Sequence, residues 1–237
     1  MKMSKAVLLS LSIVVPFASA QSVDEILEKY VQAVGGKAAI EKVTTRVMKG
    51  KLENPDEGPS PTEIYAKAPN KYMAVTNVPN YGAVQEAWNG EKGWKKDPDS
   101  GLRDMSRDDS ANARRDYDFY RELRLKDLFP KMALSGKTKV GDRDAFIVEA
   151  TSGDGTAEKF YFDSQSGLLV RRDFERVTLD DGIILFEVDY EDFKDVEGVK
   201  VPFTVIRKTP DYALSYRFSE VTFNVPIDDG KFAKPEK

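Results

Sequence analysis

The chain has 237 residues, with 36 Lys and Arg against 40 Asp and Glu, and it contains no His and no Cys. With 41% hydrophobic residues and a mean hydropathy of −0.48, it is too apolar for a disordered chain and too polar for a polytopic membrane protein. Without imidazole or thiol groups, it cannot form a Ser-His-Asp or Cys-His catalytic system, a His- or Cys-ligated metal site, or a disulfide bond.

Residues 1–20 have the pattern of a secretory signal peptide. A basic start precedes an apolar run over 6–17, and Ala18-Ser19-Ala20 forms a small-x-small cleavage site. The run is shorter than the ~20 residues that a membrane-spanning helix needs. We therefore predict export to the periplasm, signal cleavage, and one domain over 21–237 with no integral membrane segment. Its acidic charge predicts no nucleic-acid partner.

The predicted domain begins with a helix. Ser22 and Glu25 form a capping box, and apolar residues then recur at spacings of three and four as far as Val34. Gly35-Gly36 ends this helix. A shorter helix is predicted from Lys37 to about Lys42.

From Val43 onward, runs rich in Val, Thr, Ile, Tyr and Phe have the length of strands and are separated by turn signals. Most runs alternate between apolar and polar residues, as antiparallel strands with one buried face do. Ten turns predict about eleven strands. The turns are at Asn54-Pro55-Asp56, Ala68-Pro69-Asn70, Pro79-Asn80, Asn89-Gly90, Gly141-Asp142, Gly153-Asp154-Gly155, Ser166-Gly167, Asp180-Asp181-Gly182, Glu197-Gly198 and Pro210-Asp211.

One helical segment interrupts the strands. The stretch from Ala111 to Leu128 lacks Gly and Pro and places Ala113, Tyr117 and Tyr120 at helical spacing before Pro130. We predict one helix, or two short ones, lying on the sheet. The fold class is therefore mainly β (α+β), with a curved antiparallel sheet wrapped around helices.

Four motifs suggest chemistry, but each has a simpler interpretation. Ser135-Gly136-Lys137-Thr138 lacks the upstream glycine of a phosphate-binding loop, and Asp180-Asp181 lacks the alternating ligands of a calcium loop. The acidic run from Asp189 to Asp195 is interpreted as the solvent face of a strand. Arg114-Arg115 and Arg171-Arg172 have acidic neighbours and are interpreted as salt-bridged surface. We predict no catalytic residue, no metal site and no cofactor.

Aromatic residues are abundant, with 13 Phe, 10 Tyr and 2 Trp. They indicate either an ordinary core or a concave apolar face under a movable helix, with a cavity for an apolar ligand. The candidate lipid-binding residues are Tyr65, Tyr72, Trp88, Trp94, Tyr117, Tyr120, Leu123, Phe160, Phe162, Leu169, Phe186 and Tyr190.

Motifs along most of the predicted domain carry a resemblance to a known family. They are Glu63-Ile64-Tyr65, Lys67-Ala68-Pro69-Asn70-Lys71-Tyr72, Trp88-Asn89-Gly90, Gly93-Trp94, Phe160-Tyr161-Phe162-Asp163, Gly167-Leu168-Leu169, Tyr190-Glu191-Asp192-Phe193, Gly198-Val199-Lys200-Val201-Pro202-Phe203 and Phe223-Asn224-Val225-Pro226-Ile227-Asp228-Asp229. In this order they resemble the periplasmic lipoprotein carriers of the LolA-like, outer-membrane lipoprotein-sorting family.

The resemblance implies an incomplete antiparallel β-barrel of about eleven strands, with helices as a lid over its mouth. It also implies that the concave face binds acyl chains and that the segment from Ser106 to Phe129 supplies lid helices. Proteobacterial carriers of this family have an Arg before the Pro of the Lys-x-Pro-Asn turn, where this chain has Ala68.

Three hypotheses for function follow. The first is a non-enzymatic, soluble periplasmic binding protein or chaperone that carries lipidated protein, or another lipid-like amphiphile, from an inner-membrane donor to an outer-membrane acceptor. The second is a periplasmic sensing or scaffold domain that binds a protein partner on the same fold. The third is a carboxylate-based hydrolase. They predict, in turn, a continuous apolar cavity, a filled barrel with an exposed apolar patch, and two inward carboxylates with separated pKa values.

Overall fold

The computed structural model describes residues 21–55, 58–178 and 182–236, so the predicted signal peptide over 1–20 lies outside the described residues. The helices of the described residues are α1 (Val23–Val34), α2 (Lys37–Ile40), α3 (Arg107–Asp116) and α4 (Arg121–Leu128), and a 3-10 helix spans Asp229–Phe232. The strands are β1 (Thr45–Asn54), β2 (Gly58–Lys67), β3 (Lys71–Val78), β4 (Gly82–Trp88), β5 (Gly93–Asp97), β6 (Gly101–Asp104), β7 (Lys131–Val140), β8 (Arg143–Thr151), β9 (Ala157–Asp163), β10 (Leu169–Thr178), β11 (Gly182–Val196), β12 (Val199–Lys208) and β13 (Ala213–Phe223).

All thirteen strands form one antiparallel sheet in the order β6-β5-β4-β3-β2-β1-β13-β12-β11-β10-β9-β8-β7. The first and last strands pair in the middle of the sheet, and β6 and β7 are its two edges. The sheet is curved but not closed, and helices lie against it. The predicted fold class, an incomplete antiparallel barrel with an N-terminal helix and an inserted helical segment, is confirmed.

The predicted number of about eleven strands is too low. Ten turns separate eleven strands only where the extended chain is continuous, whereas α3 and α4 divide it between β6 and β7. A further tight turn between Asp97 and Gly101, where Gly101 has a φ of +64°, separates β5 from β6. This turn separates strands of only five and four residues, and it is not among the ten turns predicted from the sequence.

Helix α1 forms as predicted. The Ser22 hydroxyl accepts a hydrogen bond from the amide of Glu25, whose carboxylate accepts one from the Ser22 amide at 2.8 Å. Gly35 ends the helix at a φ of +133°, and a Cβ there would lie 2.2 Å from the carbonyl oxygen of Gly198 in the β11–β12 turn. Glycine is therefore required both by the backbone conformation and by the close approach of the two chains.

The inserted segment forms two helices rather than one. A capping box of Ser106 and Asp109 begins α3, and residues 117–120 separate it from α4. The amide of Phe119 in this junction donates a hydrogen bond to the carbonyl oxygen of Pro69, at 2.9 Å. The junction is thereby fixed to the β2–β3 turn, which contains Ala68.

The main hydrophobic cluster lies between the concave face of the sheet and helices α1 and α4. Ile26 and Tyr30 of α1 and Leu125 of α4 contribute to it from the helices, and Phe160 and Phe162 of β9 from the sheet. Both phenylalanines have no accessible surface. Since burying such a side chain contributes about 1.5–3 kcal/mol, these contacts are a major part of what holds the helices on the sheet.

The C-terminal segment covers part of the outer face of the sheet. Ile227 and Phe232 contact Val47, Met73 and Trp94, and the indole Nε1 of Trp94 donates to the carbonyl oxygen of Phe232 at 3.2 Å. The sheet thus has apolar contacts on both faces. No helix in the described part of the chain has the length and apolar content needed to span a bilayer.

Five charged residues join the α3–α4 junction to the sheet, and we refer to them as the ion network: Asp116, Arg121, Glu158, Arg172 and Arg176. Arg172 binds Glu158 through two hydrogen bonds of 2.6 and 2.8 Å and also binds Asp116 at 2.6 Å. Arg121 and Arg176 bind Asp116 at 2.9 and 3.0 Å. The C-terminal end of α3 and the N-terminal end of α4 are therefore joined to β9 and β10 by ion pairs.

The interpretation of Arg114-Arg115 and Arg171-Arg172 as salt-bridged surface is wrong for Arg115 and Arg172, which form ion pairs but are not at the surface. Arg172 is buried, and so is Arg115, which pairs with Asp154. Burial raises the pKa of Asp116, but the guanidinium groups of Arg172, Arg121 and Arg176 hold it well below its usual range. Asp189, expected on the solvent face, is also buried, with Arg171 at 2.6 Å.

We expect Glu158→Gln to lower the free energy of unfolding by about 3 kcal/mol, because it removes the charge that makes two hydrogen bonds to the buried guanidinium group of Arg172. The matched control is Glu149→Gln, which removes a half-exposed surface pair with Lys159 and should change stability by less than about 0.5 kcal/mol. Urea denaturation measures both. Equal effects of the two substitutions would contradict the assigned importance of the ion network.

Asp116 should also give the protein an acid-sensitive stability. Its pKa is lower in the folded chain than the value of about 3.9 in an unfolded chain, so its contribution is complete above that value and is lost as the pH falls further. We expect the difference in thermal midpoint between the wild type and Asp116→Asn to be largest at pH 6 and to shrink between pH 4 and pH 2. A constant difference would contradict this assignment.

Candidate functional site

A groove of about 760 Å³ lies between α1 and α4, on the open side of the barrel. Its floor is apolar and consists of Leu27 and Val31 from α1, Leu123 and Leu125 from α4, and Tyr120 from the junction. Helix geometry explains this composition, because each helix presents one apolar face to its neighbour and to the sheet. The size is within the range of about 300–1000 Å³ that small-molecule sites have.

The rim of the groove is charged. Lys126 of α4 forms an ion pair with Asp24 of α1 across the opening, and both side chains are exposed. Glu28, Lys37, Glu41, Glu122 and Arg124 also line the groove. Exposed pairs of this kind contribute about 0–1 kcal/mol, so the opening is not held closed by a strong contact at the surface.

The floor of the groove continues into the main hydrophobic cluster. Leu27 and Leu125 belong to that cluster, and Tyr120 and Leu123 contact it. Beneath them, the rings of Phe129 and Phe160 meet edge to face at 5.2 Å between centroids. An outward movement of α4 would therefore lengthen the groove into the apolar interior rather than expose polar backbone.

A second set of inward residues is polar, and we refer to it as the interior polar cluster: Arg46, Tyr72, Glu86, Tyr117 and Arg207. The rings of Tyr72 and Tyr117 stack at 3.9 Å, and the Tyr117 hydroxyl donates a hydrogen bond to Glu86. All five side chains face the inside of the barrel, yet each keeps some accessible surface. The inside of the barrel is therefore not completely filled next to these five side chains.

The electrostatics of this cluster reflect its enclosed position. Burial, together with Glu86, raises the pKa of Tyr72, and the positive charges of Arg46 and Arg207 oppose this shift. Burial and Glu86 also raise the pKa of Tyr117. Both tyrosines therefore remain protonated at neutral pH and can donate hydrogen bonds.

A second groove, of about 1160 Å³, lies between α3 and strands β8 to β11. Charged and polar side chains form much of its wall, including Arg107, Arg114 and Lys159, and Val177 and Ile183 are among its apolar members. It has no apolar floor comparable to that of the groove between α1 and α4. We therefore take the α1–α4 groove as the candidate site for an apolar chain.

The predicted lipid-binding residues are divided among four groups of contacting side chains. The groups are Tyr120, Leu123, Phe160, Phe162 and Leu169 in the main cluster; Tyr72, Trp88 and Tyr117 under α3; Phe186 and Tyr190 on β11; and Tyr65 and Trp94 on the outer face. Strand register explains the last group. Tyr65 pairs with Met73, so its side chain lies on the opposite face from those of Ala66 and Tyr72.

Tyr120 and Leu123 are the two predicted residues that line the groove between α1 and α4. Sequence reasoning did not include Leu27 and Val31 in the site, although their helical spacing had identified the apolar face of α1. It also did not include Arg46 and Arg207, because an isolated arginine in a strand has no distinguishing pattern in the sequence.

Besides Glu86, two further carboxylates point inward and can be compared with the pair that a hydrolase would require. They are Asp116 and Glu158, and both bind Arg172 within the ion network. Contact with guanidinium groups favours the ionised form of a carboxyl, as the lowered pKa of Asp116 shows. A general acid must instead hold its proton near neutral pH, so Asp116 is not suited to that role.

Three solved structures share this architecture at low sequence identity. A DUF1329 family protein from Desulfovibrio piger has a TM-score of 0.60 and 13% identity, over 89% of this chain and 97% of its own. A LolA superfamily protein from Nitrosomonas europaea has a TM-score of 0.58 and 14% identity, over 91% and 99%. A domain from Vibrio parahaemolyticus, described as an outer membrane lipoprotein-sorting protein, has a TM-score of 0.56 and 11% identity, over 88% and 97%.

No protein-family model matches the sequence, and no curated protein sequence matches it. At identities of 11–14%, the likeness concerns the fold and not the ligand. The resemblance expected from the sequence motifs is confirmed at that level. This chain has the fold of the LolA superfamily and of outer membrane lipoprotein-sorting domains.

Proposed function

We propose that this protein is a periplasmic binding protein that carries an amphiphile, such as a lipidated protein, towards the outer membrane and holds its acyl chain between α1 and α4. The observation that supports this most directly is the apolar floor of the groove, which continues into the main hydrophobic cluster. The shared fold with outer membrane lipoprotein-sorting domains is consistent with it.

The groove provides the apolar surface that a carrier of an acyl chain needs. Transfer of an acyl chain from water to an apolar surface gains about 0.8 kcal/mol per CH₂, so a chain does not leave a membrane without a comparable surface to enter. Phe129, Phe160 and Phe162 have no accessible surface in the structure. These residues can contact a ligand only after α4 has moved outward.

Movement of α4 is compatible with its contacts. The helix has eight residues, and its first residue, Arg121, belongs to the ion network. Further along, its Lys126 reaches α1 through one exposed ion pair. The ion network therefore fixes the start of the helix, and the remainder is held mainly by apolar contacts, which an acyl chain can replace.

A charge in the groove floor should abolish ligand retention. We expect Leu123→Asp to reduce acyl-bearing material that co-purifies with the protein at least tenfold, because a carboxylate is costly to bury against an acyl chain. Leu123 is half-buried and contacts the main cluster only from its edge, so the fold should survive. Native mass spectrometry of protein purified from its own compartment provides the measurement.

The control for this substitution is Ile183→Asp, which makes the same chemical change at a side chain that is 68% exposed and lies outside the groove. Retention should be unchanged in this variant. Equal retention by the wild type and Leu123→Asp would exclude the groove as the binding site.

A second prediction concerns the movement of α4. The chain has no Cys, so Asp24→Cys and Lys126→Cys can be combined and joined selectively by a short, thiol-cleavable bismaleimide. We expect the linked protein to lose binding of a fluorescent fatty acid and to recover it after reduction. Unchanged binding in the linked form would show that α1 and α4 need not separate.

A second candidate function, a scaffold that binds a protein partner, is favoured by one observation. Val177, Ile183 and Leu185 expose 66%, 68% and 46% of their surface at the β10–β11 hairpin. Val177 pairs with Ile183, and Leu185 pairs with Glu175, so these apolar side chains share one face of the hairpin. Contiguous exposed apolar side chains often mark interaction sites.

The same two variants separate these functions. If the protein is a scaffold, Ile183→Asp should reduce recovery of one stoichiometric polypeptide from native extracts, and Leu123→Asp should not. If it is a carrier, the opposite pattern is expected for acyl-bearing material. Quantitative mass spectrometry of both purified variants measures the two effects in one experiment.

A further inference from the structure

The β10–β11 hairpin extends beyond the strands on either side of it. Strand β9 pairs with β10 only as far as Glu158, opposite Phe174, and β12 pairs with β11 only from Lys208, opposite Glu187. Beyond these points, residues 175–178 of β10 pair with β11 alone among the described strands. We refer to the other edge of residues 175–178, which faces no described strand, as the open edge.

The second groove, of about 1160 Å³, runs beside the open edge. Glu175, Arg176 and Val177 line it from β10, and Ala157, the first residue of β9, lines it from the adjacent strand. The groove therefore occupies the place beside β10 that β9 does not reach. Its volume and the open edge belong to one site.

The backbone of the open edge determines what can occupy this place. An edge strand presents N–H and C=O groups at alternate residues, in a row that another strand about 4.8 Å away can pair with. An acyl chain has no polar groups with which to form such a row of hydrogen bonds. An extended polypeptide segment has them at the required spacing, and main-chain pairing of this kind is a common mode of peptide recognition.

The outer face of the hairpin favours apolar side chains in that segment. Val177 pairs with Ile183, and both side chains are largely exposed on this face. In a strand added at the open edge, every second side chain would lie on the same face as Val177 and next to it. Apolar residues at those positions would cover surface that the described residues leave exposed.

Helix α3 favours acidic side chains on the opposite face of the segment. Arg107, Asp108 and Arg114 line the groove from this helix, and none of the three forms an ion pair with another described residue. The remaining charged residues of α3 all have ion-pair partners. Two positive charges against one negative charge leave the helix wall of the groove positive, which is complementary to an acidic segment.

We propose that the open edge of β10 binds an extended segment of another polypeptide by strand addition, with apolar side chains beside Val177 and acidic side chains towards α3. This site is separate from the groove between α1 and α4. The inference therefore goes beyond the carriage of an amphiphile and does not depend on it. It also assigns a partner of defined backbone geometry to the exposed apolar residues of the hairpin.

The experiment attaches a peptide at the start of β9. The chain has no Cys, so Ala157→Cys provides a single thiol at an exposed position that lines the groove. The probe is a synthetic heptapeptide in which Glu and Val alternate before a C-terminal Cys. Joined there, it continues in the direction of β9 and antiparallel to β10 at a high effective concentration. Capture in the presence of excess β-mercaptoethanol is measured by intact-protein mass spectrometry.

Two analogues of the probe test backbone pairing. Each is N-methylated at one of the two sets of alternate amides, which point to opposite edges of a strand. We expect one analogue to be captured at least tenfold less than the unmodified probe and the other to be captured within about threefold of it. Apolar adhesion without strand pairing would affect both analogues equally.

A third analogue, with Lys in place of Glu, tests the charge. It should be captured at least threefold less than the acidic probe, and the combined variant Arg107→Met and Arg114→Met should remove this preference. The matched control, Arg143→Met, removes the same charge from an exposed position on β8 and should retain the preference. Lys49→Cys controls for the attachment point, because Lys49 is exposed but has a paired strand on both sides.

Three results would overturn the inference. The first is equal capture of the two N-methylated analogues, and the second is equal capture of the probe at Ala157→Cys and at Lys49→Cys. The third is a wild-type dimer in sedimentation velocity that Ile183→Asp dissociates, because a second copy would then occupy the open edge. Retention of acyl-bearing material by Leu123→Asp is measured separately, so failure of this inference is distinguishable from failure of the proposed function.

Discussion

The architecture depends on how an open, curved sheet covers its concave face. A closed barrel fills its inside with its own strands' side chains, whereas here β6 and β7 remain apart at the two edges. The apolar concave face must then be covered by something else, and α1 and α4 lie there. Because two separate helices cover this face, a gap remains between them, and this gap is the groove with the apolar floor. The candidate site is thus a direct consequence of the incomplete barrel.

The ion network determines where the cover is fixed. Its five members lie at the end of α3, at the start of α4 and on β9 and β10. Buried charges contribute little net stability relative to an apolar substitute, but they tolerate few alternative arrangements. The network therefore defines the position of the helix junction more than it strengthens the fold. Apolar contacts, which do not depend on direction, hold the rest of α4 and allow it to adjust.

Much of the fold could be predicted from local sequence, because α1 has its capping box and its glycine stop within a few residues. The division of residues between the two faces could not. Tyr65 and Trp94 were grouped with Tyr72 and Trp88, and only the pairing register shows that they face opposite ways. Two faces carry aromatic residues in this sheet, so apolar alternation alone does not distinguish inside from outside.

The candidate site could be predicted only in part for a related reason. Tyr120 and Leu123 were found because they lie on a helical face, which is a local pattern. Arg172 is buried and binds Asp116, which lies 56 residues earlier in the chain. Acidic residues next to Arg172 in the sequence led instead to its interpretation as salt-bridged surface. Arg46 and Arg207 were missed because the sequence gives no sign that an arginine in a strand forms no ion pair with the other described residues.

The pairing of β1 with β13 has a consequence for how the molecule is assembled. The strands from β1 to β6 and those from β7 to β12 form two meanders, and β13 alone connects them through hydrogen bonds to both β1 and β12. Neither meander can acquire its final neighbour until the last strand of the chain has been synthesised, and the pairing of β1 with β13 joins residues far apart in sequence. The two meanders can therefore join only after β13 has been synthesised. A chain that ends before residue 213 would leave β1 and β12 as unpaired edge strands, which can pair with other chains.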